Sequence, residues 1–146
     1  MEVQPYLFFD GRCEEAIDFY RTAVKADVVM MLRFKDNPDL KANKDKPQQP
    51  DAGCSMPADL NKVMHSAFRI GETMILASDG RAEGKPEFKG VSLALTVASE
   101  SEADQVFAAL GDGGQVQMAL AKTFFSPRFG MVTDRFGVTW MIVTKG

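Results

Sequence analysis

The chain has one histidine, His65, within the run Met64–Ile70. Imidazole changes charge near neutral pH, so a lone histidine on the wall of a cavity is a competent general base. The plainer reading is a half-buried strand histidine bonded to the backbone. Ser78 and Asp79 end the next apolar run and are the polar company expected for His65; the plainer reading for them is a turn cap. Arg128 follows Ser126-Pro127 and lies close in sequence to Phe124 and Phe125. A guanidinium can clamp an anion with two parallel N–H groups while the aromatics wall the pocket. An arginine laid over a surface aromatic explains the same residues equally well. Tyr6 and Phe8 from the first apolar run and Met141 from the last complete the expected pocket lining. Cys13 sits on an apolar helix face, where a thiol is inert. Cys54 lies in a polar stretch with no base beside it in sequence. There is no Ser-His-Asp order, phosphate loop or Cys-x-x-Cys, and no carboxylate pair at an informative spacing.

Composition narrows the field. The chain has 146 residues, 25% of them charged, and a formal net charge of -3. That length suits one domain, 1-146, with a core of its own. The charge offers no basic footprint for nucleic acid. No apolar run reaches the ~18 residues that span a bilayer, and Met1-Glu2-Val3-Gln4-Pro5 lacks the basic start of a secretory signal. Two cysteines make no disulfide framework. They read as thiols of a cytoplasmic protein, and nothing favours a Cys13–Cys54 bridge.

The elements that must hold these residues follow from periodicity. Val3–Phe9 reads as an apolar strand covered on both faces, and Asp10 as the N-cap of a helix over 12–24 whose apolar face carries Cys13, Ala16, Ile17 and Tyr20. Asp27–Phe34 reads as a strand. Lys35–Lys62 has four prolines and no period, so it is a long excursion, a lid or a dimer-contact loop. Val63–Ile70 and Thr73–Ser78 read as a hairpin through Gly71-Glu72. After a charged loop, Arg81–Lys89, comes the strand Gly90–Ala98. Ser99 with Glu102 has capping-box spacing, and Ala103, Val106, Phe107 and Leu110 mark the buried face of a second helix. Gln115–Leu120 is a strand. Phe129–Thr133 and Val138–Thr144 close the chain as a second hairpin through Asp134-Arg135-Phe136-Gly137.

The order β-α-β-β-β therefore occurs twice. Ile70–Gly80 lies without a gap over Phe136–Gly146, setting Gly71 on Gly137, Thr73 on Thr139 and Met74 on Trp140. A repeat of about 65 residues of this kind decides the fold. The expectation is an α+β protein: module one over about 1-80 and module two over about 90-146. Together they form a curved eight-stranded mixed sheet with helices outside and a concave face for a ligand. Trp140 and Met74 are assigned to the helix side, Met141 and Ile75 to the open side. The methionines at 30, 31, 118 and 141 suit either a soft pocket lining or ordinary core.

Ala16-Ile17-Asp18-Phe19-Tyr20 and Asp134-Arg135-Phe136-Gly137-Val138-Thr139-Trp140 resemble the vicinal oxygen chelate superfamily of glyoxalase I, extradiol dioxygenases and the fosfomycin and bleomycin resistance proteins. Pro5–Gly11, Met64–Gly71, Ala77–Gly80 and Arg128–Asp134 are similar to its PhnB-like branch. That branch often carries the label 3-demethylubiquinone methyltransferase, yet the chain has no G-x-G-x-x-G after a strand for a nucleoside cofactor. In metal-dependent members the resemblance implies His, Glu or Gln ligands on the first and last strand of each module. Here those positions fall near Pro5, Tyr6 or Leu7, on Ile75, near Val91, Ser92 or Leu93, and on Met141. None is a normal ligand for a divalent ion. The expectation is thus no metal and no cofactor, a homodimer as the resemblance implies, and an unidentified small-molecule ligand, anionic where Arg128 takes part. The alternatives are an isomerase, lyase or transferase, metal-free or metal-dependent, with His65 as base, and a structural or regulatory dimer module.

Overall fold

The structure, a computed structural model, describes residues 1–38, 59–80 and 85–145. Cys54, most of the stretch 35–62 and part of the loop 81–89 lie outside the described residues. The element order is β1 (Tyr6–Phe8), α1 (Cys13–Ala23), β2 (Asp27–Arg33), a single 3₁₀ turn (Phe34–Asp36), β3 (Val63–Ile70), β4 (Thr73–Ser78), β5 (Leu93–Val97), α2 (Glu100–Gly111), β6 (Gln115–Ala121), β7 (Phe129–Thr133) and β8 (Thr139–Thr144). The eight strands form two four-stranded mixed sheets, β1-β4-β3-β2 and β5-β8-β7-β6. In each, the first strand of the module pairs in parallel with the last, and the other pairings are antiparallel. The α+β pattern of two βαβββ modules is therefore the observed architecture.

Packing divides the chain into two compact units, Met1–Asp18 with Ala26–Pro86, and Phe19–Lys25 with Glu87–Gly146. In the first unit, Leu7, Phe9, Ala16, Ile17, Phe68, Ile75 and Ala77 are buried. Cys13 Sγ on α1 lies 3.7 Å from Ser66 Oγ, which identifies the face of β3 that packs on the helix. Ser66 pairs with Ala77, and Phe68 with Ile75. Side chains alternate along a strand, so Ala67, Met74 and Leu76 belong to the opposite, open face. In the second unit the helix face is set by Gly130, where an added Cβ would stand 2.9 Å from Phe107 of α2. Val132, Trp140 and Ile142 share that face and are buried. Tyr20 stands edge-on to Trp140 with ring centroids 5.4 Å apart.

Several expectations need correction. β1 is shorter than Val3–Phe9 and is not covered on both faces: Leu7 is buried while Tyr6 is 38% and Phe8 57% exposed. Asp10 does not cap α1. It takes a positive φ of 52°, and Asp79 Oδ1, from beyond the end of β4, accepts from Gly11 N at 3.0 Å and Cys13 N at 2.7 Å instead. The ungapped repeat is out of phase by face. Met74 lies on the open face and Trp140 on the helix face; Ile75 lies on the helix face and Met141 on the open one. The first turn, Gly71-Glu72, joins Ile70 directly to Thr73, whereas the second holds an extra rung in which Asp134 N donates to Val138 O at 2.9 Å. The shared Gly-x-Thr string therefore aligns residues that point opposite ways. At α2 the N-cap is as expected, since Ser99 Oγ accepts from Glu102 N at 3.1 Å, but the reciprocal bond of a capping box is displaced by one residue: Glu102 Oε2 accepts from Ala98 N at 3.2 Å.

Candidate functional site

The register of the first sheet lays one row of residues across all four strands of its open face: Tyr6, Leu76, Ala67 and Met30. His65 lies two residues from Ala67 and shares its face, and it pairs with Leu32 on β2. Four apolar side chains here stay wet: Tyr6 at 38%, Phe8 at 57%, Met30 at 38% and Leu32 at 39% exposed. Tyr6 reaches over β4, a span of ~10 Å at normal strand spacing, and its Oη lies 3.0 Å from His65 Nδ1. The two rings are stacked with centroids 5.6 Å apart, and the Phe8 ring lies tilted beside Tyr6 with centroids 4.9 Å apart. The only histidine thus stands on an aromatic and aliphatic surface, bonded to a phenol. No partner for its Nε2 occurs among the described residues.

The polar company expected for His65 has other partners. Asp79 is 1% exposed. Besides its two bonds to the start of α1, its Oδ2 accepts from Val63 N at 2.6 Å, so one carboxylate brackets the helix start and the head of β3. Ser78 Oγ, also buried, accepts from Gly80 N at 3.2 Å. Near Asp79 a solvent-facing cleft of about 300 Å³ is lined by Arg12, Glu14, Glu15, Arg33 and Lys62 among others. Its cations are engaged: Arg12 with Glu15, Arg33 with Glu14, and Lys62 Nζ donating to Gly11 O at 2.9 Å. Cys13 is fully buried, and burial pushes its thiol up to about 12. Ser66 Oγ donates to Ala77 O at 2.8 Å, which leaves its lone pair for the Cys13 S–H. This thiol is a core group, not a nucleophile.

The second sheet repeats the open-face row with softer groups: Ala94, Met141, Met131 and Met118. Three thioethers side by side make a polarizable, adaptable surface. Arg128 donates from Nε at 2.9 Å and Nη2 at 2.7 Å to Asp104 Oδ1 on α2, so the residue expected to clamp an anion is ion-paired. Phe125 stands edge-on to Phe129 at 5.0 Å, with Phe124 beyond it fully exposed. Asp134 is the buried carboxylate of this unit. It accepts from Tyr20 Oη at 2.5 Å, Trp140 Nε1 at 2.9 Å, Phe136 N at 2.9 Å and Val138 N at 3.1 Å. Tyr6 was expected as lining, but its bond to His65 was missed, as were Leu32 and Met131. The alternation Tyr6/Phe8 and Met30/Leu32, with apolar residues at every second position, is the local signal for that face. The Tyr6–His65 bond has no local signal.

The metal implied by the resemblance has a definite test. The strands that would carry ligands meet on the open faces at the pairs Tyr6–Leu76 and Ala94–Met141. One phenol and one thioether, with two side chains that bear no donor, do not fit a divalent ion that wants imidazole or carboxylate.

Paired βαβββ modules, each with an open sheet face, define the fold class of the vicinal oxygen chelate proteins. A family model described as 3-demethylubiquinone-9 3-methyltransferase matches residues 1–143, and the chain belongs to that family, the PhnB-like branch of the class. Protein YjdN of Escherichia coli is 33% identical over 142 residues, covering 97% of this chain and 94% of its own. The solved structure of PA1353 from Pseudomonas aeruginosa is 36% identical with a TM-score of 0.78, over 99% of this chain and 98% of its own. A PhnB protein from Bacillus cereus is 25% identical with a TM-score of 0.76, over 99% of each chain.

Proposed function

We propose that this protein binds a small molecule with an apolar body on the open face of its first sheet, without a resident metal, and works as a homodimer in the cytoplasm. The observation that carries the reading is the gathering of Tyr6, Phe8, Met30 and Leu32, all partly exposed, around the single histidine. Contiguous exposed apolar surface with one convergent polar group is the usual make-up of a ligand site. The methionine row of the second sheet offers a second adaptable surface of the same kind. Any negative charge on the ligand would be met by His65, or by Arg69 farther along the same face of β3, rather than by Arg128, which Asp104 already holds. Dimerisation is supported by the family resemblance and by the edge strands of each four-stranded sheet, which a partner copy would cover. Methyl transfer, named in the family description, is not proposed. Each module has one parallel strand pair and no doubly wound crevice for a nucleoside cofactor.

A second reading makes His65 a general base in an isomerase, lyase or transferase. It is motivated by the Nε2 of His65 on the open face, for which no partner occurs among the described residues. Titration of methyl-labelled methionine protein with a library of small aromatic acids, ketones and amines tests the binding claim. Met30 and Met74 signals are expected to move with a subset of compounds, and Met30→Lys should abolish the response. Perturbation of neither methionine by any compound would leave only a structural or regulatory dimer module.

A further inference from the structure

The chemistry of the Tyr6–His65 pair says which way its protons point. A phenol O–H is a stronger acid than a neutral imidazole N–H, and an imidazole nitrogen is a far stronger base than a phenol oxygen. The bond of 3.0 Å between Tyr6 Oη and His65 Nδ1 is therefore most stable with the hydroxyl donating and Nδ1 accepting. A neutral imidazole carries one N–H, so that proton must sit on Nε2. The other tautomer would set the weak N–H donor against the weak phenol acceptor and leave Nε2 bare.

We infer that Tyr6 is a positioning residue that locks His65 in its Nε2–H form, so that the open face offers a hydrogen-bond donor and selects ligands that present an acceptor oxygen (carbonyl, carboxylate or phosphonyl) on an apolar body. The ligand class rests on the binding proposed above; the tautomer rests on geometry alone. The lock also separates the two readings of His65. A general base needs a bare Nε2, and the phenol disfavours that form. The nearest groups of the face agree: Phe8, Met30, Leu32 and Leu76 bring no donor or acceptor strong enough to reset the imidazole, and Arg69, on the same face, stands four residues along β3, ~13 Å away at normal strand rise. Ser78, the other hydroxyl in the neighbourhood, is buried and accepts from Gly80 N.

The single histidine makes the test direct, because uniformly ¹⁵N-labelled protein gives one imidazole spin system with nothing to assign. Two-bond ¹H–¹⁵N correlation spectra, taken above the titration range of imidazole, distinguish the tautomers by which ring nitrogen is protonated. Wild type should show Nε2–H alone, and Tyr6→Phe should show a mixture. Unchanged backbone amide shifts in the first unit away from residue 6 would report that the variant still folds. Benzoate, an acceptor on an apolar ring, should shift the Nε2 signal, and benzylamine, a donor on the same ring, should not. Benzoate should bind Tyr6→Phe roughly threefold to tenfold more weakly, the contribution of one net hydrogen bond. An Nδ1–H tautomer in wild type would overturn the inference and return His65 to the base reading. An Nε2–H tautomer with no response of His65 or Met30 to either probe would overturn the acceptor-site claim and the binding reading with it, while the lock by Tyr6 would stand.

Discussion

Each unit buries one carboxylate among neighbouring donors: Asp79 meets three backbone N–H groups, Asp134 two backbone N–H groups, a phenol and an indole. Each bond to an ionised group contributes about 1.5–3 kcal/mol, and a buried donor left without a partner costs about 1–3 kcal/mol. Asp79→Ala should therefore lower stability by about 3 kcal/mol or more in urea unfolding, with hydrogen exchange fastest at the start of α1. A loss under about 1 kcal/mol, less than one such bond contributes, would contradict the bracket. Cys13 gives a second test. Its thiol lies above the ordinary value of 9.0, at about 12, because burial disfavours the thiolate. Above pH 9.0 the unfolded chain ionises this thiol and the folded chain does not. Stability thus falls as pH rises toward 12, at up to about 1.4 kcal/mol per pH unit, and is untouched below that window. Cys13→Ala should flatten this alkaline slope relative to wild type. His65 was legible from residue type alone. The tasks of Asp79 and Tyr6 were not, because their partners lie 66 and 59 positions away in the chain and only the strand order β1-β4-β3 brings them together.

The elements were the most readable level, because alternation and helical period are local. Both helices, the two hairpins and the N-cap at Ser99 follow from spacing that any segment carries by itself. Register was less readable. The Gly-x-Thr string matched two turns of different length, and a slip of one residue turns every side chain of a strand to the other face. That is why Ile75 was expected on the open side and Leu76 stands there beside Tyr6. The turn region of the second unit is also where a small change should be most damaging. A Cβ on Gly114 would lie 2.1 Å from the backbone oxygen of Thr133, a clash only backbone movement can relieve. Gly114→Ala should lose several kcal/mol by overpacking, at or above the ~1–3 kcal/mol typical of such strain, and should red-shift Trp140 emission. Gly71→Ala has open space around its Cβ and is strained only by its positive φ of 60°. A variant at 114 no worse than the one at 71 would refute the packing described.

At the scale of the whole molecule, the distinguishing feature is a sheet whose helix side is closed and whose other side keeps apolar groups in contact with water. No helix among the described residues is long and apolar enough to cross a membrane, so a bilayer-spanning helix does not explain that surface. The most direct measurement of the binding claim is a native mass spectrum of the protein purified without chelator, wild type beside Phe8→Lys. The expected result is a dimer that carries a small organic molecule, released on denaturation and lost in Phe8→Lys. A stoichiometric metal ion in place of the organic mass, or an organic mass that Phe8→Lys retains, would contradict it.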